Sequence, residues 1–334
     1  MLATLMLALL TVALTAAVAG YIGEELLVPR LARKYGLYGV DVNKPWKPRI
    51  PETGGIAILS GLLASSAVIA ICFSWKVGLV LTLTSLWLWA VGFLDDRFKL
   101  NPIVKPLLTF VAAVPVLLLH LYTPRPTLPF VGTTRLTIVY PYLLVLGVGV
   151  SANMFNMIDG YNGLMAGSAL IVVLGMIVAS LVRVYCGSPV DVAGFAAAIA
   201  IAVLLALHLA YNWYPARVLN GDSGSLLVGG YLVLVAALLR LEAIYIIATM
   251  PLILNGFSII ASVKGFKERR EMPRPTIVDE CGLVRAKADP KAPITLVRLL
   301  TAREPLTELE IVVSGLILVA FSTTLALLTL LITH

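Results

Sequence analysis

Residues Ser151 to Gly167 read SANMFNMIDGYNGLMAG and lie between two long apolar runs. They set Asn153, Asn156, Asp159 and Asn162 three residues apart, and Gly160 and Gly163 then interrupt the pattern. Positions three apart share one stripe of a helix, so a helix continuing to about Asp159 carries Asn153, Asn156 and Asp159 on a single face. Amide and carboxylate groups in a segment otherwise fit for lipid carry a large desolvation penalty unless they face water, protein or a metal. The glycines let the backbone turn out of the helix. A polar helix end that caps itself with Asn and Asp is the simpler reading; three further polar clusters along the chain argue against it.

Outward from this stretch, the 334 residues are 60% hydrophobic and only 13% charged. Several uninterrupted apolar runs approach or exceed the ~20 residues a helix needs to cross a bilayer, and they lack the residue-by-residue alternation of barrel strands. The sequence predicts an all-α polytopic membrane protein of about ten transmembrane helices, at about 1–22, 54–74, 77–94, 104–121, 138–158, 163–182, 193–211, 223–239, 241–261 and 309–331. No tandem repeat, low-complexity linker or second globular unit interrupts them, so 1–334 reads as a single transmembrane domain. The loops that follow odd-numbered spans, about 23–53, 95–103, 159–162, 212–222 and 262–308, hold 19 of the 25 Lys and Arg residues; Lys105 opens the fourth span at the same side, and Lys76, Arg125, Arg135, Arg183 and Arg240 fall opposite. The positive-inside rule places those loops in the cytoplasm and both termini outside. Of the 18 acids, all but Asp191 and Glu242 fall on the same side, which that rule does not require. One membrane face is therefore expected to hold the chemistry.

The formal charge of +7 reflects this orientation and an attraction to anionic lipid. Nucleic acid binding is excluded, because no aromatic-interleaved polar domain presents the charge. The first apolar run ends in AVAG but lacks a basic segment before it and precedes a Lys- and Arg-bearing loop, so it reads as a retained helix. Cys72, Cys186 and Cys281 have neither metal-ligand spacing nor an evident disulfide role.

Three clusters join the Asn/Asp stripe. KPWKPRIPETGG at 44–55 separates Lys44, Lys47 and Arg49 by prolines that hold the chain extended, a basic strip suited to phosphate, and Gly54 and Gly55 then permit close backbone approach. The third span ends in Leu94-Asp95-Asp96-Arg97, adjacent carboxylates that repel unless a cation or proton intervenes. The seventh span ends in Asn212-Trp213-Tyr214-Pro215, and Gly221-Asp222-Ser223-Gly224-Ser225 opens the next helix. There Asp222 suits either an N-cap or a cation-linked phosphate. His208, within an apolar run, reads as a packing residue. The late loop adds ten basic residues, among them Lys267, Arg269, Arg270 and Arg274, the last held between two prolines in MPRPT at 272–276. Ala292 to Leu300 reads as a strand or an interfacial helix, and 122–137 as an external connection.

Oxygen donors from Asp and Asn suit magnesium, which shares its shell with water and substrate phosphate. Basic residues beside them would neutralise a diphosphate. The chain lacks a P-loop and a His/Cys zinc site. Residue chemistry alone thus points to magnesium-assisted phosphoryl transfer at the lipid–water boundary.

The motifs KPRIPETGG at 47–55, GFLDD at 92–96, NMFNMIDGYNG at 153–163, NWYP at 212–215 and NGDSGS at 220–225, in this order, resemble the polyprenyl-phosphate N-acetylhexosamine-1-phosphate transferase family. KPRIPET and NWYP are similar to its eukaryotic and archaeal glycosylation branch, which uses UDP-N-acetylglucosamine (UDP-GlcNAc) and dolichyl phosphate. The resemblance implies ten helices in the cell membrane, an active site on the cytoplasmic face, and magnesium, with manganese as a substitute. It also implies Asn156 and Asp222 as metal ligands, Asp95 and Asp96 as the catalytic acidic pair together with Asp222, and Asn162, Gly160 and Gly163 around the uridine. Lys44, Lys47, Arg49 and Arg274 fall to phosphate, with Asn153 and Asp159 in support. Leu219 stands where the family places an aromatic residue under the uracil, and the late loop carries no histidine cluster of the kind seen in the bacterial cell-wall branch. The implied product is GlcNAc-diphospho-polyprenol, the first intermediate of lipid-linked oligosaccharide synthesis. Membrane lipid is a partner and a homodimer is compatible with the chain. The alternatives are an undecaprenyl-phosphate sugar-1-phosphate transferase for surface polysaccharide and, in another class, a secondary transporter of an anion.

Overall fold

The computed structural model describes residues 2–128, 131–265, 267 and 272–333; Arg269 and Arg270 lie outside the described residues. Its order is α1 (Leu2–Ile22), a π-helical turn at Gly23–Leu27, α2 (Val28–Tyr35), β1 (Tyr38–Val40), β2 (Arg49–Pro51), α3 (Gly54–Cys72) and α4 (Trp75–Phe98). Then come α5 (Val104–Val111), α6 (Val114–Leu118), β3 (Thr127–Leu128), β4 (Gly132–Thr133), α7 (Tyr140–Ile158), α8 (Leu164–Tyr185), α9 (Val192–Asn212) and α10 (Gly221–Leu239). The chain closes with α11 (Glu242–Ala248), α12 (Met250–Val263), β5 (Thr276–Val278), β6 (Val284–Ala286), α13 (Leu296–Leu300) and α14 (Glu308–Thr333). The strands form three short antiparallel hairpins outside the helical bundle.

All ten apolar runs are helical, but not all as single rods. Among the described residues eight helices are long and apolar enough to cross a membrane, nine when α11 and α12, bent by 64° at their junction, are taken together as one span. The bend falls at Thr249, with a proline in the first turn of α12, where its missing N–H is tolerated. The run expected at 104–121 divides into α5 and α6 around Ala112 and Ala113. At 1.5 Å per residue, Val104–Leu118 covers about 22 Å, less than the ~30 Å hydrocarbon core. Conversely the first helix does not stop at Ile22: it continues through the π turn and α2, giving one helical stretch from Leu2 to Tyr35. The Ala292 to Leu300 segment contributes a helix, α13, and 122–137 the β3–β4 hairpin.

α10 is the axis of the bundle, packed most extensively against α4 and α7 and also against α3 and α9. Small residues make this possible: a Cβ on Gly229 would collide with the Ser151 carbonyl of α7, and one on Gly230 with Leu88 of α4. α1 is peripheral and turns Leu2, Met6, Leu7, Leu10 and Leu14 outward, as a lipid-facing helix does. Because successive spans alternate in direction, the ends of α1, α4, α7 and α9 meet the starts of α3, α5, α8, α10 and α14 at one end of the bundle. Leu2 and Thr333 lie at the other end.

Candidate active site

The site forms around the start of α10. Gly221 adopts φ +67°, and both Asp96 carboxylate oxygens then accept backbone N–H groups of that helix, from Asp222 at 2.9 Å and Ser223 at 3.1 Å. A carboxylate here satisfies two of the donors a helix start leaves open and complements its positive end. α4 approaches this closely because residue 92 is glycine: a Cβ there would run into the backbone of Asp222 and Ser223. Gly55 serves α3 likewise, since a Cβ on it would lie 2.5 Å from the Gly224 nitrogen. The cap of α10 is therefore Asp96, and the Asp222 carboxylate is free to point elsewhere. With both its oxygens occupied, Asp96 separates from Asp95, its expected partner in an acidic pair.

The Asp222 side chain points to Lys105. The Lys105 ammonium bonds Asp222 Oδ2, Asp95 Oδ2 at 3.2 Å and Asn156 Oδ1 at 3.1 Å. Asp95 Oδ1 accepts the Leu100 N–H at 2.7 Å, which ties the short loop before α5 to α4. The Asn156 amide donates to Asp222 Oδ1 at 2.8 Å and to Ser225 Oγ at 2.9 Å. Two carboxylates and an amide oxygen from α4, α10 and α7 thus converge on one cationic centre supplied by α5. It stays partly open: the side chains of Lys105 and Asp222 are 15% and 28% exposed. Sequence reasoning passed over Lys105, although it is the one charged residue in the fourth apolar run.

The stripe of Asn153, Asn156 and Asp159 divides its labour. Asn153 donates to Thr109 Oγ1 of α5 at 2.9 Å and so anchors the helix that carries Lys105. Asn156 enters the site. Asp159 follows the last residue of α7 and accepts from Asn220 Nδ2 at 2.7 Å, two residues before Asp222. Burial pushes the Asp159 carboxyl up to about 7, against the pull of the Asn220 amide. Gly163 takes φ +84° and packs on Trp213, while its N–H donates to Asn212 Oδ1 at 3.1 Å.

Asn162 belongs to a second cluster. Its N–H donates to Glu308 Oε1 and its amide to Asp41 Oδ2, each at 3.0 Å. Lys44, expected on phosphate, is instead 2% exposed, bonded by Asp41 and by Glu308 Oε2 at 3.1 Å, with the Tyr214 ring 4.9 Å away. An ammonium neutralised by two carboxylates in a closed space offers nothing to a ligand in this arrangement. Asn43 donates to the exposed Gly160 carbonyl at 2.6 Å, which completes the pinning of loop 41–44 over the DGYNG turn. Lys47, Arg49 and Arg274 are exposed, with no ion pair among the described residues. Leu219 is half-buried: its N–H donates to the Pro51 carbonyl at 2.8 Å, its own carbonyl accepts from Gly54 at 3.0 Å, and its side chain lies against Gly39.

The donor set decides which ions fit. Asp222, Asn156 and Asp95 offer only oxygens toward the shared centre, the chemistry of a hard divalent cation. Among the described residues no group of three or more His, Cys, Asp or Glu is placed to hold a metal unaided. Such a cation would therefore need ligands from water or a bound phosphate.

A family profile described as glycosyl transferase family 4 matches residues 78–240, the stretch that contains Asp95, Asp96, Lys105, Asn156 and Asp222. The "Phospho-N-acetylmuramoyl-pentapeptide-transferase" of Bacillus licheniformis is 31% identical over 235 residues, 66% of this chain and 71% of the relative. This chain belongs to glycosyl transferase family 4. An archaeal relative from Saccharolobus solfataricus is named "Putative UDP-N-acetylglucosamine--dolichyl-phosphate N-acetylglucosaminephosphotransferase"; it is 33% identical over 206 residues, 60% of this chain. A Sulfolobus acidocaldarius protein of the same name is 30% identical over 207 residues. The chain spans 62% of the length of each of these two archaeal relatives. The family 4 profile leaves out Lys44, Glu308 and Arg274.

Proposed function

We propose that this chain transfers GlcNAc-1-phosphate from UDP-GlcNAc to dolichyl or another polyprenyl phosphate, releasing UMP and leaving GlcNAc-diphospho-lipid in the bilayer. In this reading it works at the cytoplasmic face of the cell membrane and begins a lipid-linked oligosaccharide for protein N-glycosylation. The observation that carries the reading is the partly open cluster of Lys105, Asp95, Asn156 and Asp222, where helix ends meet at one end of a membrane bundle. The names of the two archaeal relatives favour UDP-GlcNAc and dolichyl phosphate over the pentapeptide substrate in the Bacillus name. The lack of a histidine cluster in the late loop points the same way.

An oxygen of the acceptor phosphate attacks the phosphorus bonded to the sugar, and the bond from that phosphorus to the bridging oxygen breaks, its electron pair leaving with UMP. Lys105 sits where negative charge gathers and contributes electrostatic stabilisation with little reorganisation, because Asp95 and Asn156 hold it. A phosphomonoester has a second pKa of about 6, so the acceptor is already largely dianionic at neutral pH and needs no strong base. Asp95 positions the lysine and the acceptor; Asp96 holds the start of α10 in place. Asp222 and Asn156 would hold magnesium or manganese, which supplies Lewis-acid neutralisation of the diphosphate when bound. Gly160, Asn162 and Gly163 shape the turn offered to the uridine, and Lys47, Arg49 and Arg274 draw the anionic donor from solvent.

The test is transfer of radiolabelled sugar from UDP-GlcNAc to dolichyl phosphate by purified protein, with and without magnesium, beside Asp222→Ala. A solvent-extractable, acid-labile sugar lipid that needs both magnesium and Asp222 supports the reading. A purified, folded protein that makes no such product with any UDP-sugar and polyprenyl phosphate pair would end it.

A further inference from the structure

Next to the cluster lies a buried polar chain that the proposed transfer does not use. Glu24, on the π-helical turn after α1, is 4% exposed; His208 of α9 is 1% and Asn220, just before α10, is 2%. Glu24 Oε1 meets His208 Nδ1, His208 Nε2 meets Asn220 Oδ1 at 2.7 Å, and Asn220 Nδ2 donates to Asp159 Oδ1 at 2.7 Å. Residues far apart in sequence thus form one continuous path that ends between the Asn156 and Asp222 segments.

The donor inventory fixes the protons. Asn220 directs its NH2 to Asp159 and, at 3.4 Å, toward Asn212 Oδ1. Its Oδ1 therefore accepts, and His208 Nε2 must carry a hydrogen. A second proton lies between Nδ1 and Glu24, which keeps the buried pair neutral overall whichever atom holds it. The ring packs closely on Gly54, where a Cβ would stand 2.6 Å from His208 Cε1. Packing alone does not account for this pair. Glu24 Oε2 is buried without a partner among the described residues, and two apolar side chains would fill such a space at lower cost. π-helical turns recur at functional sites, and this one aims Glu24 inward.

We propose that Glu24 and His208 are positioning residues that lock the Asn220 amide and through it set the separation of Asn156 from Asp222. Asp159 is three residues past Asn156, and Asn220 is two before Asp222, so this one amide joins both segments. If it flipped, its oxygen would face the Asp159 side chain and release that tie. The inference rests on the reading of Asn156 and Asp222 as cation ligands in the proposed transfer.

The full-length protein in detergent tests it by two readouts. In histidine-labelled NMR the three histidines, His120, His208 and His334, are few enough to assign with His208→Leu. The His208 Nε2 signal should be that of a protonated nitrogen, and it should shift in Asn220→Ala. Manganese affinity, measured by electron paramagnetic resonance without substrate, should weaken about 10–100-fold in His208→Leu, the usual range for loss of an outer partner of a ligand set. His208→Gln, which keeps a distal N–H, should stay within about threefold of the parent protein, since the hydrogen bond survives. An unprotonated Nε2, or a folded His208→Leu with parental manganese affinity and turnover, overturns the positioning role, as does His208→Gln falling as far as His208→Leu. A parent protein that neither binds manganese nor transfers sugar instead removes the reading on which the role rests.

Discussion

Lys44 and Lys105 occupy the same end of the bundle, each bonded to two carboxylates, and differ in what surrounds them. Lys44 is 2% exposed, with partners Asp41 and Glu308 that are each 3% exposed, whereas Lys105 is 15% exposed and faces an Asp222 that is 28% exposed. Asp41 shares the loop of Lys44, Glu308 starts α14, and both carboxylates also accept from Asn162 of the DGYNG turn, so the cluster clips three segments together. The partners of Lys105 come from the inner ends of α4, α7 and α10, so they are held by the most tightly packed helices of the molecule. A closed cluster of charges trades desolvation for fixed geometry; an open one keeps its field available to a ligand. The Lys44 cluster is thus expected to govern folding, and the Lys105 cluster turnover.

Lys105→Met should separate the two most strongly. Turnover should fall about 10²–10³-fold, as for loss of a donor aimed at developing charge, while the thermal midpoint in detergent falls less than in Lys44→Met, because Asp222, 28% exposed, still reaches water and Asp95 keeps the Leu100 N–H. Lys44→Met should do the opposite. It strands two buried carboxylates, and unfolding should become easier by roughly 3–5 kcal/mol, the scale for breaking one side of a buried ion pair. Activity per folded molecule should survive, measured by transfer alongside thermal unfolding.

A smaller effect tests the Asp159 link between the α7 end and Asn220. Its carboxyl is raised from 3.8 in the unfolded chain to about 7 in the fold, so between those pH values the folded state holds the extra proton. Stability from this group is therefore present below about pH 4 and lost as pH rises toward 7. Asp159→Asn, which cannot ionise, should flatten that decline in a pH series of thermal midpoints. An unchanged decline would show that other groups cause it. The smallest effects belong to Lys47, Arg49 and Arg274, exposed and outside ion pairs among the described residues. Alanine at each should raise the KM for the nucleotide sugar about two- to threefold at low salt, and less at 0.5 M salt where screening removes distant charges, with kcat unchanged.

The sequence made the membrane class plain, and its ten apolar runs all became helices, because apolar length is a local property. The broken spans were less legible: the break at Ala112 and the bend at Thr249 depend on prolines whose effect varies with neighbours. Asn156 and Asp222 could be read because three-residue spacing and a glycine-flanked carboxylate are local signals. Lys105 could not, since its partners are 10, 51 and 117 residues away and one lysine beside an apolar run resembles an ordinary flank. Lys44 misled for the same reason: its proline-rich context suggested an accessible strip, while the carboxylate that closes its space is 264 residues away. Asp95 and Asp96 read as one acidic unit, yet adjacent helix residues differ by about 100° in direction, which sends one to Lys105 and the other to the start of α10.

The most direct measurement is transfer from radiolabelled UDP-GlcNAc to dolichyl phosphate by Lys105→Met and Lys44→Met side by side, in proteoliposomes below both thermal midpoints and corrected for folded protein. Lys44→Met should make sugar lipid at a rate near the parent's, and Lys105→Met should make almost none. Equal losses in the two, or a loss confined to Lys44→Met, would contradict the assignment of chemistry to the Lys105 cluster.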